Sequence, residues 1–163
     1  NANLVTKRAF GIRGIVLLPP GHRLLGKKSV NLDHLRGDPL VTMPRNSGMR
    51  GTLEPVFEKH DFHPTVSFES NNLKMITQAV QSGFGYAIVT PLIMEEFPEL
   101  IGNCADLDVP NRIGYYGLSY NRLTEENRNA RHFRDFILHF LEGLQEHFAD
   151  EEVMLEAIDL AGY

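Results

Sequence analysis

VQSGFGYAIVTP, the stretch from Val80 to Pro91, joins the end of a helix to a buried strand. Apolar or small side chains three and four positions apart lead into it and predict a helix face: Leu73, Ile76, Thr77 and Val80. Gly83 is the residue type that ends helices, because glycine adopts the left-handed conformation without strain. Gly85 to Val89 then predicts a strand. Thr90-Pro91 predicts another helix start, with Thr90 as the cap and Pro91 in the first turn.

Apolar runs of strand length lie on both sides of this stretch. Three precede it and one follows it: Arg13–Pro19, Pro39–Met43, Pro64–Glu69 and Ile113–Tyr120. Pro19-Pro20-Gly21 closes the first run, since proline has no N–H to donate to a sheet. We expect a loop around Cys104–Pro110. The strands alternate with helical segments, which points to a parallel or mixed sheet covered on both faces.

Caps and proline positions place the ends of the helical segments. Asn31–Leu35 has the length of one turn, and Ser70 or Asn71 is expected to cap the helix that ends at Gly83. After the polar residues 46–51, apolar spacing predicts a helix through Phe57. Because Pro55 would remove an interior hydrogen bond from a helix that began at Met49, we place its regular start near Thr52. Residues 47–51 are then a loop or a loose turn.

The chain ends in two predicted amphipathic helices. From Thr124, apolar residues at helical spacing form one stripe: Phe133, Phe136, Ile137, Phe140, Leu141, Leu144 and Phe148. A second, acidic helix repeats the period over Met154–Ala161. The stripe is expected to cover a neighbouring surface.

Composition excludes several classes of protein. The chain has 163 residues, 42% of them hydrophobic and 23% charged, which suits one modest domain or two small lobes. The formal net charge of −5 argues against this segment holding nucleic acid by itself, because phosphates are neutralised by Lys and Arg. The longest apolar stretch, Ile15–Leu18, is too short to cross a bilayer, so no membrane partner is expected. The single cysteine, Cys104, allows no internal disulfide, and we expect a cytoplasmic protein.

Five segments in this order resemble the sensing domain of LysR-type transcriptional regulators: Leu17–Leu25 (LLPPGHRLL), Ser29–Leu35 (SVNLDHL), Asp38–Val41 (DPLV), Phe68–Asn72 (FESNN) and Val80–Pro91. The similarity covers roughly residues 11–141. Arg23 stands where the family usually has proline, a change that we expect an exposed turn to accept. The resemblance implies an α/β fold like that of the type II periplasmic binding proteins. One lobe would be complete, with a mixed five-stranded sheet flanked by helices, and a partial second lobe would carry C-terminal helices.

The resemblance also implies how the chain is divided. Residues 1–21 would be part of the first lobe with a hinge strand, and residues 22–116 the second, effector-binding lobe. Residues 117–163 would return to the first lobe with its C-terminal helices. The winged helix-turn-helix and the first elements of the sensing domain lie before the matched segments in this family. DNA is therefore expected as a partner only through an N-terminal domain absent from this chain.

A small effector is implied between the two lobes, contacted by loops at the strand ends. The turn Ser47-Gly48-Met49-Arg50 combines free N–H groups with a hydroxyl and a guanidinium, which suits a carboxylate or phosphate. The alternative is an ordinary cap and surface turn, with Arg50 as a solvated charge. Phe68 and Ser70, at the next strand end, are further candidates, although they could be a core residue and a cap. Thr90 and Pro91 are candidates too, although a helix start explains them.

No catalytic, metal or cofactor site is predicted. His60 and His63 have no obvious third ligand, and no glycine-rich dinucleotide or phosphate loop is present. Cys104 has neither a helix start nor a neighbouring base to activate its thiol. An enzyme of the same broad fold would need a nucleophile beside a base, and none has that context.

Two non-enzymatic alternatives to a regulator remain open. The first is an exported solute-binding protein of the same fold, although the Pro-Pro-Gly-His segment favours the regulator. The second is an interaction fragment, because a partial lobe would leave sheet edge and apolar helix face uncovered, for instance Phe133, Phe136 and Phe140. On this last ground we expect self-association into a homo-oligomer.

Overall fold

The computed structural model describes residues 3–110, 112–122 and 127–147. It divides into two compact units, a central unit of Arg13–Gly114 and a terminal unit of Asn1–Ile12 with Tyr115–Tyr163. The chain therefore passes between units near residues 12 and 114, where the sequence predicted divisions after residues 21 and 116. The assignment of these segments to two lobes stays a prediction.

Strands and helices alternate in the middle of the chain, from Leu40 to Glu96. The strands are β1 Leu4–Ile12, β2 Ile15–Leu17, β3 Ser29–Val30, β4 Leu40–Thr42, β5 Val66–Glu69, β6 Ala87–Val89, β7 Cys104–Leu107 and β8 Gly114–Asn121. The helices are α1 Gly48–Lys59, α2 Leu73–Gln81, α3 Ile93–Glu96 and α4 Arg128–His147. Two 3₁₀ turns lie at Asp33–Leu35 and Pro98–Asn103. The first of these turns confirms the single turn predicted from the sequence.

The strands of the central unit form a mixed sheet. Four of them pair in the order β3-β7-β2-β6, with β2 antiparallel to both of its neighbours and β3 parallel to β7. β4 and β5 pair in parallel. The two groups meet where Leu40 bridges Tyr86 in parallel, with Val41 N–H donating to the Tyr86 carbonyl at 2.8 Å. Six strands of the described residues therefore lie in this sheet, where five were predicted.

The core lies along the middle strands of this sheet. Every residue of β2, β4 and β6 is buried, as continuous apolar runs predict for strands covered on both faces. Helix α2 buries Ile76 and Val80, and helix α1 buries Leu53 and Phe57. Gly83 takes a φ of +83° and ends α2 as predicted. Among the described residues, no helix is long and apolar enough to span a membrane.

The predicted start of α1 at Thr52 is wrong, because the helix begins four residues earlier at Gly48. The Ser47 hydroxyl accepts the Arg50 N–H at 3.1 Å, and the Ser47 carbonyl accepts the Gly51 N–H at 3.0 Å. Pro55 lies inside the helix and leaves the Gly51 carbonyl without its usual donor. Since Gly51 is exposed, water can satisfy that carbonyl, and a good cap outweighs the proline.

Three other boundaries differ from their predictions. The expected loop at Cys104 begins as strand β7, because Ala105 and Asp106 pair with β2. Asn72, rather than Ser70 or Asn71, caps α2 by accepting the Met75 N–H at 3.3 Å. Thr90 does not cap a helix: its carbonyl accepts the Ile93 N–H in a turn, and α3 begins only at Ile93. Thr124, Phe148 and the predicted helix Met154–Ala161 lie outside the described residues.

The terminal unit contains a two-stranded ribbon of β1 and β8 with α4 packed against β1. The Arg122 N–H donates to the Asn3 carbonyl at 2.8 Å, and the Thr6 and Ser119 hydroxyls are 2.9 Å apart, so the strands run antiparallel. At Gly117 a Cβ atom would lie 2.4 Å from the Lys7 carbonyl oxygen. Only glycine therefore lets the two backbones approach this closely.

We expect Gly85→Ala to destabilise the protein. Gly85 has a φ of +144°, and an added Cβ would lie 2.0 Å from the Pro39 carbonyl oxygen, which also accepts the Tyr86 N–H at 3.0 Å. Backbone strain and overpacking together would lower the free energy of unfolding by roughly 2–5 kcal/mol. Chemical denaturation measures the change. Gly51→Ala is the control, because a Cβ at Gly51 on α1 would lie in open space. It should raise the free energy of unfolding by about 1 kcal/mol or less. Equal losses in the two variants would contradict the prediction.

Candidate functional site

Three loops of the central unit begin at one edge of the sheet. β4, β5 and β6 are mutually parallel, so their carboxyl ends share this edge, which we call the carboxyl edge. Ser47, Ser70 and Thr90 follow these three strands in turn. The Ser70 N–H donates to the Thr42 carbonyl at 3.1 Å, which ties the second loop to the end of the first strand. Loops at the carboxyl ends of parallel strands are the usual ligand-facing loops of open α/β sheets.

The turn at Ser47 presents unpaired backbone donors. Ser47 and Met49 are half-buried and Gly48 is exposed, at the start of the twelve-residue helix α1. The N–H groups of Gly48 and Met49 form no hydrogen bond to any residue that the structure describes. The Ser47 hydroxyl accepts from Arg50 N–H, which leaves its own proton available for donation. This arrangement can receive an anion with two N–H donors and one O–H donor.

Arg50 is turned into the protein rather than toward solvent. Its side chain is 4% exposed, its Nε donates to Glu54, and its guanidinium lies 6.0 Å from the centre of the Phe57 ring. Nη1 is buried and has no hydrogen-bond partner among residues 3–110, 112–122 and 127–147. The alternative of Arg50 as a solvated surface charge is therefore wrong. Its contact with an effector stays a prediction.

Tyr86 is a second buried polar group whose hydroxyl lacks a partner among the described residues. The residue is fully buried at the junction of β4 and β6. Burial raises the pKa of its phenol, the negative charge of Asp38 raises it further, and the positive charge of Arg50 lowers it. The phenol therefore stays neutral at physiological pH. Sequence reasoning missed this group, although a tyrosine in an otherwise aliphatic strand was the available signal.

The remaining nominated residues line the two neighbouring loops. Phe68 is half-buried with its ring centre 6.1 Å from that of Phe84, and the Ser70 hydroxyl accepts the Asn72 N–H at 3.1 Å. Thr90 is half-buried and Pro91 is buried. The topology thus brings the starts of all three loops to one edge, whereas the Arg50 guanidinium points into the helix packing. Contact of any of these residues with an effector remains a prediction.

A further ion pair at this edge was not predicted. Ile15 pairs with both Val89 and Asp106, so the start of β2 lies at the carboxyl edge. Arg13 precedes it, and its Nη2 lies 3.2 Å from Asp106 Oδ1. The pair depends on β7, which the sequence pattern did not reveal, so it could not be foreseen.

The described residues hold no group of three or more side chains suited to a metal ion. His63 Nε2 lies 3.0 Å from Asp61 Oδ1, and His60 contributes only its carbonyl to Arg36.

Comparison with known proteins assigns the family. The model of the LysR substrate binding domain matches residues 1–142. This chain belongs to the LysR substrate-binding domain family. The predicted membership and the predicted α/β fold with a mixed sheet are thereby confirmed.

Curated relatives of this LysR domain are named as regulators. The RuBisCO operon transcriptional regulator of Allochromatium vinosum is 29% identical over 127 residues, 76% of this chain and 41% of that protein. The transcriptional activator protein LysR of Escherichia coli (strain K12) is 28% identical over 78 residues, 48% of this chain and 25% of that protein. The chain thus spans well under half the length of these relatives.

Solved regulatory and effector-binding domains share the fold of this chain. The effector binding domain of QuiR in complex with shikimate has a TM-score of 0.75 at 14% identity, with 88% of this chain and 68% of that chain covered. The Synechocystis PCC6803 CcmR regulatory domain in complex with 2-PG has a TM-score of 0.71 at 17% identity, with coverages of 86% and 68%. At these identities the likeness concerns the fold alone.

Tyr86→Phe tests the unpartnered hydroxyl of this LysR domain. Phenylalanine keeps the shape and removes only the buried O–H, so we expect the free energy of unfolding to stay within about 1 kcal/mol or to rise. Tyr86→Leu is the matched control, and its cavity should lower the free energy of unfolding by about 2 kcal/mol or more. A large loss in the phenylalanine variant, measured by chemical denaturation, would mean that the hydroxyl has a partner.

The thiol of Cys104 should be unreactive in the folded domain. Burial raises its pKa from 9.0 to about 12, and its Sγ lies 3.3 Å from the Leu100 carbonyl oxygen as a donor. At pH 8 a chromogenic disulfide reagent should therefore label it only when denaturant is added. Because the folded-state pKa is the higher one, this thiol's contribution to stability is constant below pH 9.0 and falls as the pH rises toward about 12. Cys104→Ala should remove that alkaline loss. Rapid native labelling at pH 8 would refute the burial argument.

Proposed function

We propose that this chain is the ligand-sensing part of a bacterial LysR-type transcriptional regulator. It binds a small carboxylate or other anion at the carboxyl edge, and acts on DNA through a helix-turn-helix domain outside this chain. The family match over residues 1–142 carries the proposal. The naming of the relatives as regulators favours a regulator over an exported solute-binding protein of the same fold.

The anionic class of the effector is supported by the donors at Ser47, Gly48 and Met49. A helix of twelve residues carries a partial positive charge at its start, where these donors lie. The buried guanidinium of Arg50 adds positive potential one turn further in, and its ion pair with Glu54 offsets part of that potential. The anion would therefore be held chiefly by directed hydrogen bonds. The domains of QuiR and CcmR bound shikimate and 2-PG, which agrees with a small polar effector.

Phe68, Ser70, Thr90 and Pro91 supply the rest of the proposed site. Phe68 offers the edge of a ring, while the hydroxyls of Ser70 and Thr90 can each donate one hydrogen bond. No residue of this set is charged, so it would select the shape of the effector rather than its charge. We further propose that the regulator is cytoplasmic, because it would have to reach DNA. We also propose that it is a homo-oligomer, because Phe133, Phe136 and Phe140 are exposed.

Ser47→Asp separates anion binding from helix capping. Aspartate is as good a cap as serine and suits the positive end of the helix, so the thermal unfolding midpoint should be kept or raised. Its charge would repel an anionic effector and occupy the Gly48 and Met49 donors. The Kd should therefore rise about tenfold or more. Isothermal titration with shikimate, 2-PG and inorganic phosphate measures it, with glycerol as the uncharged probe.

Gln78→Glu is the matched control for this experiment. It adds the same charge at an exposed position on α2, in the half of the helix that leads away from the carboxyl edge. Its Kd for the same probe should equal that of the unchanged chain. Equal affinities for Ser47→Asp and the unchanged chain would remove Ser47 from the site. Binding of glycerol but of no anion would overturn the anionic class.

A further inference from the structure

Two buried hydrogen-bonding atoms of the central unit have no partner among the residues that the structure describes. They are Nη1 of Arg50 and the hydroxyl oxygen of Tyr86. Arg50 as a whole residue is 3% exposed and Tyr86 is fully buried, so bulk water reaches neither atom. A buried donor without a partner loses its hydrogen bonds to water on folding, and a charged donor loses the most. These two atoms therefore need a partner that the described side chains do not supply.

The Arg50 side chain extends along α1, away from the carboxyl edge. Its Nε donates to Glu54, one turn further along the helix, and its guanidinium lies 6.0 Å from the centre of the Phe57 ring, two turns along. Because α1 connects the end of β4 to the start of the parallel strand β5, it runs back toward the amino ends of the strands. Tyr86 lies at such an end, directly before β6. The Arg50 side chain thus leads from the Ser47 turn toward Tyr86.

Electrostatic effects place two charged groups close to the Tyr86 hydroxyl. Burial raises the pKa of this phenol most, the negative charge of Asp38 raises it further, and the positive charge of Arg50 lowers it. Asp38 directly precedes Pro39, whose carbonyl accepts the Tyr86 N–H at 3.0 Å. The neutral phenol, the guanidinium and the carboxylate therefore surround one region beside the junction of β4 and β6.

The donors and the acceptor of this region suit a water molecule. Arg50 Nη1 can only donate, and the Tyr86 hydroxyl can donate or accept. Asp38 can accept: His22 and Arg23 both contact its Oδ2, at 3.3 Å and 2.6 Å, which leaves Oδ1 available. A water molecule can accept from the two donors and donate to the carboxylate. A halide could only accept, and the nearby carboxylates would repel it, whereas the guanidinium would repel a cation.

We propose that one internal water molecule bridges Arg50 Nη1 and the Tyr86 hydroxyl, with Asp38 as its acceptor. Globular proteins hold roughly one buried water per 27 residues, and such waters typically bond to buried polar groups that are otherwise unsatisfied. This bridge would fasten the first turn of α1 to the junction of β4 and β6. It lies behind the Ser47 turn and does not depend on which effector binds there, so the inference goes beyond the proposed function.

A crystal structure of the whole chain, determined with and without a bromide soak, tests the bridge. We expect an ordered oxygen atom within about 3.2 Å of both Arg50 Nη1 and the Tyr86 hydroxyl oxygen, and no anomalous bromide signal at that position. A bromide signal there would overturn the water in favour of an anion. A protein group bonded directly to either atom, or no ordered oxygen between them, would overturn the bridge itself.

A double-mutant cycle tests the same bridge in solution. Arg50→Lys keeps a positive charge beside Glu54 and removes Nη1, and Tyr86→Phe keeps the ring and removes the hydroxyl. If one water joins the two groups, the unfolding constant of the double variant should differ about threefold or more from the product of the single effects. Tyr86→Phe alone should have a small effect, because on folding the hydroxyl exchanges one water partner for another.

Thr77→Val is the matched control for removing a buried hydroxyl. Thr77 is 4% exposed, and its hydroxyl donates to the Lys74 carbonyl of its own helix at 2.9 Å. Combined with Arg50→Lys, it should be additive within about twofold, as measured by chemical denaturation. Additive effects in the cycle of Arg50 with Tyr86 would overturn the bridge. Since these measurements report unfolding and ordered solvent rather than effector affinity, failure of the bridge would leave the proposed anion site untouched.

Discussion

The central unit depends on the close parallel contact between residues 39–41 and Tyr86. The Pro39 carbonyl accepts the Tyr86 N–H at 3.0 Å, the Tyr86 carbonyl accepts the Val41 N–H at 2.8 Å, and Gly85 leaves room for both. This contact joins the four-stranded group to β4 and β5. It thereby aligns the carboxyl ends of β4, β5 and β6. The close approach that only a glycine at position 85 permits therefore determines where three loops begin.

The sequence could predict the middle of this unit because its signals are local. A buried parallel strand is a continuous apolar run, and β4 and β6 both have that pattern. Gly83 marks the end of α2 by its conformational freedom alone. The predicted edge for effector contacts rests on the same logic: once three parallel strands are recognised, the loops after them must share an edge.

What the sequence could not predict depends on distant partners. β7 is held as a strand by its pairing with β2. The sequence of Cys104–Leu107 by itself is equally compatible with a loop. The start of α1 is not local information either, because Pro55 favours a later start and the strength of the Ser47 cap depends on its geometry. The buried position of Arg50 could not be predicted either. Its contacts with Glu54 and Phe57 form only because α1 begins at Gly48 and so includes Arg50.

The inward position of Arg50 affects how the proposed site would discriminate between different anions. A guanidinium at the turn would attract any anion over several ångströms, whereas one paired with Glu54 contributes a weakened field. Under the proposed function, recognition then rests on the directions of the Gly48 and Met49 N–H groups and on the neutral residues of the other two loops. Hydrogen bonds of fixed direction discriminate between anions of different shape better than a point charge does. A regulator that must respond to one metabolite among many similar anions gains selectivity from this arrangement, and its affinity should depend only weakly on ionic strength.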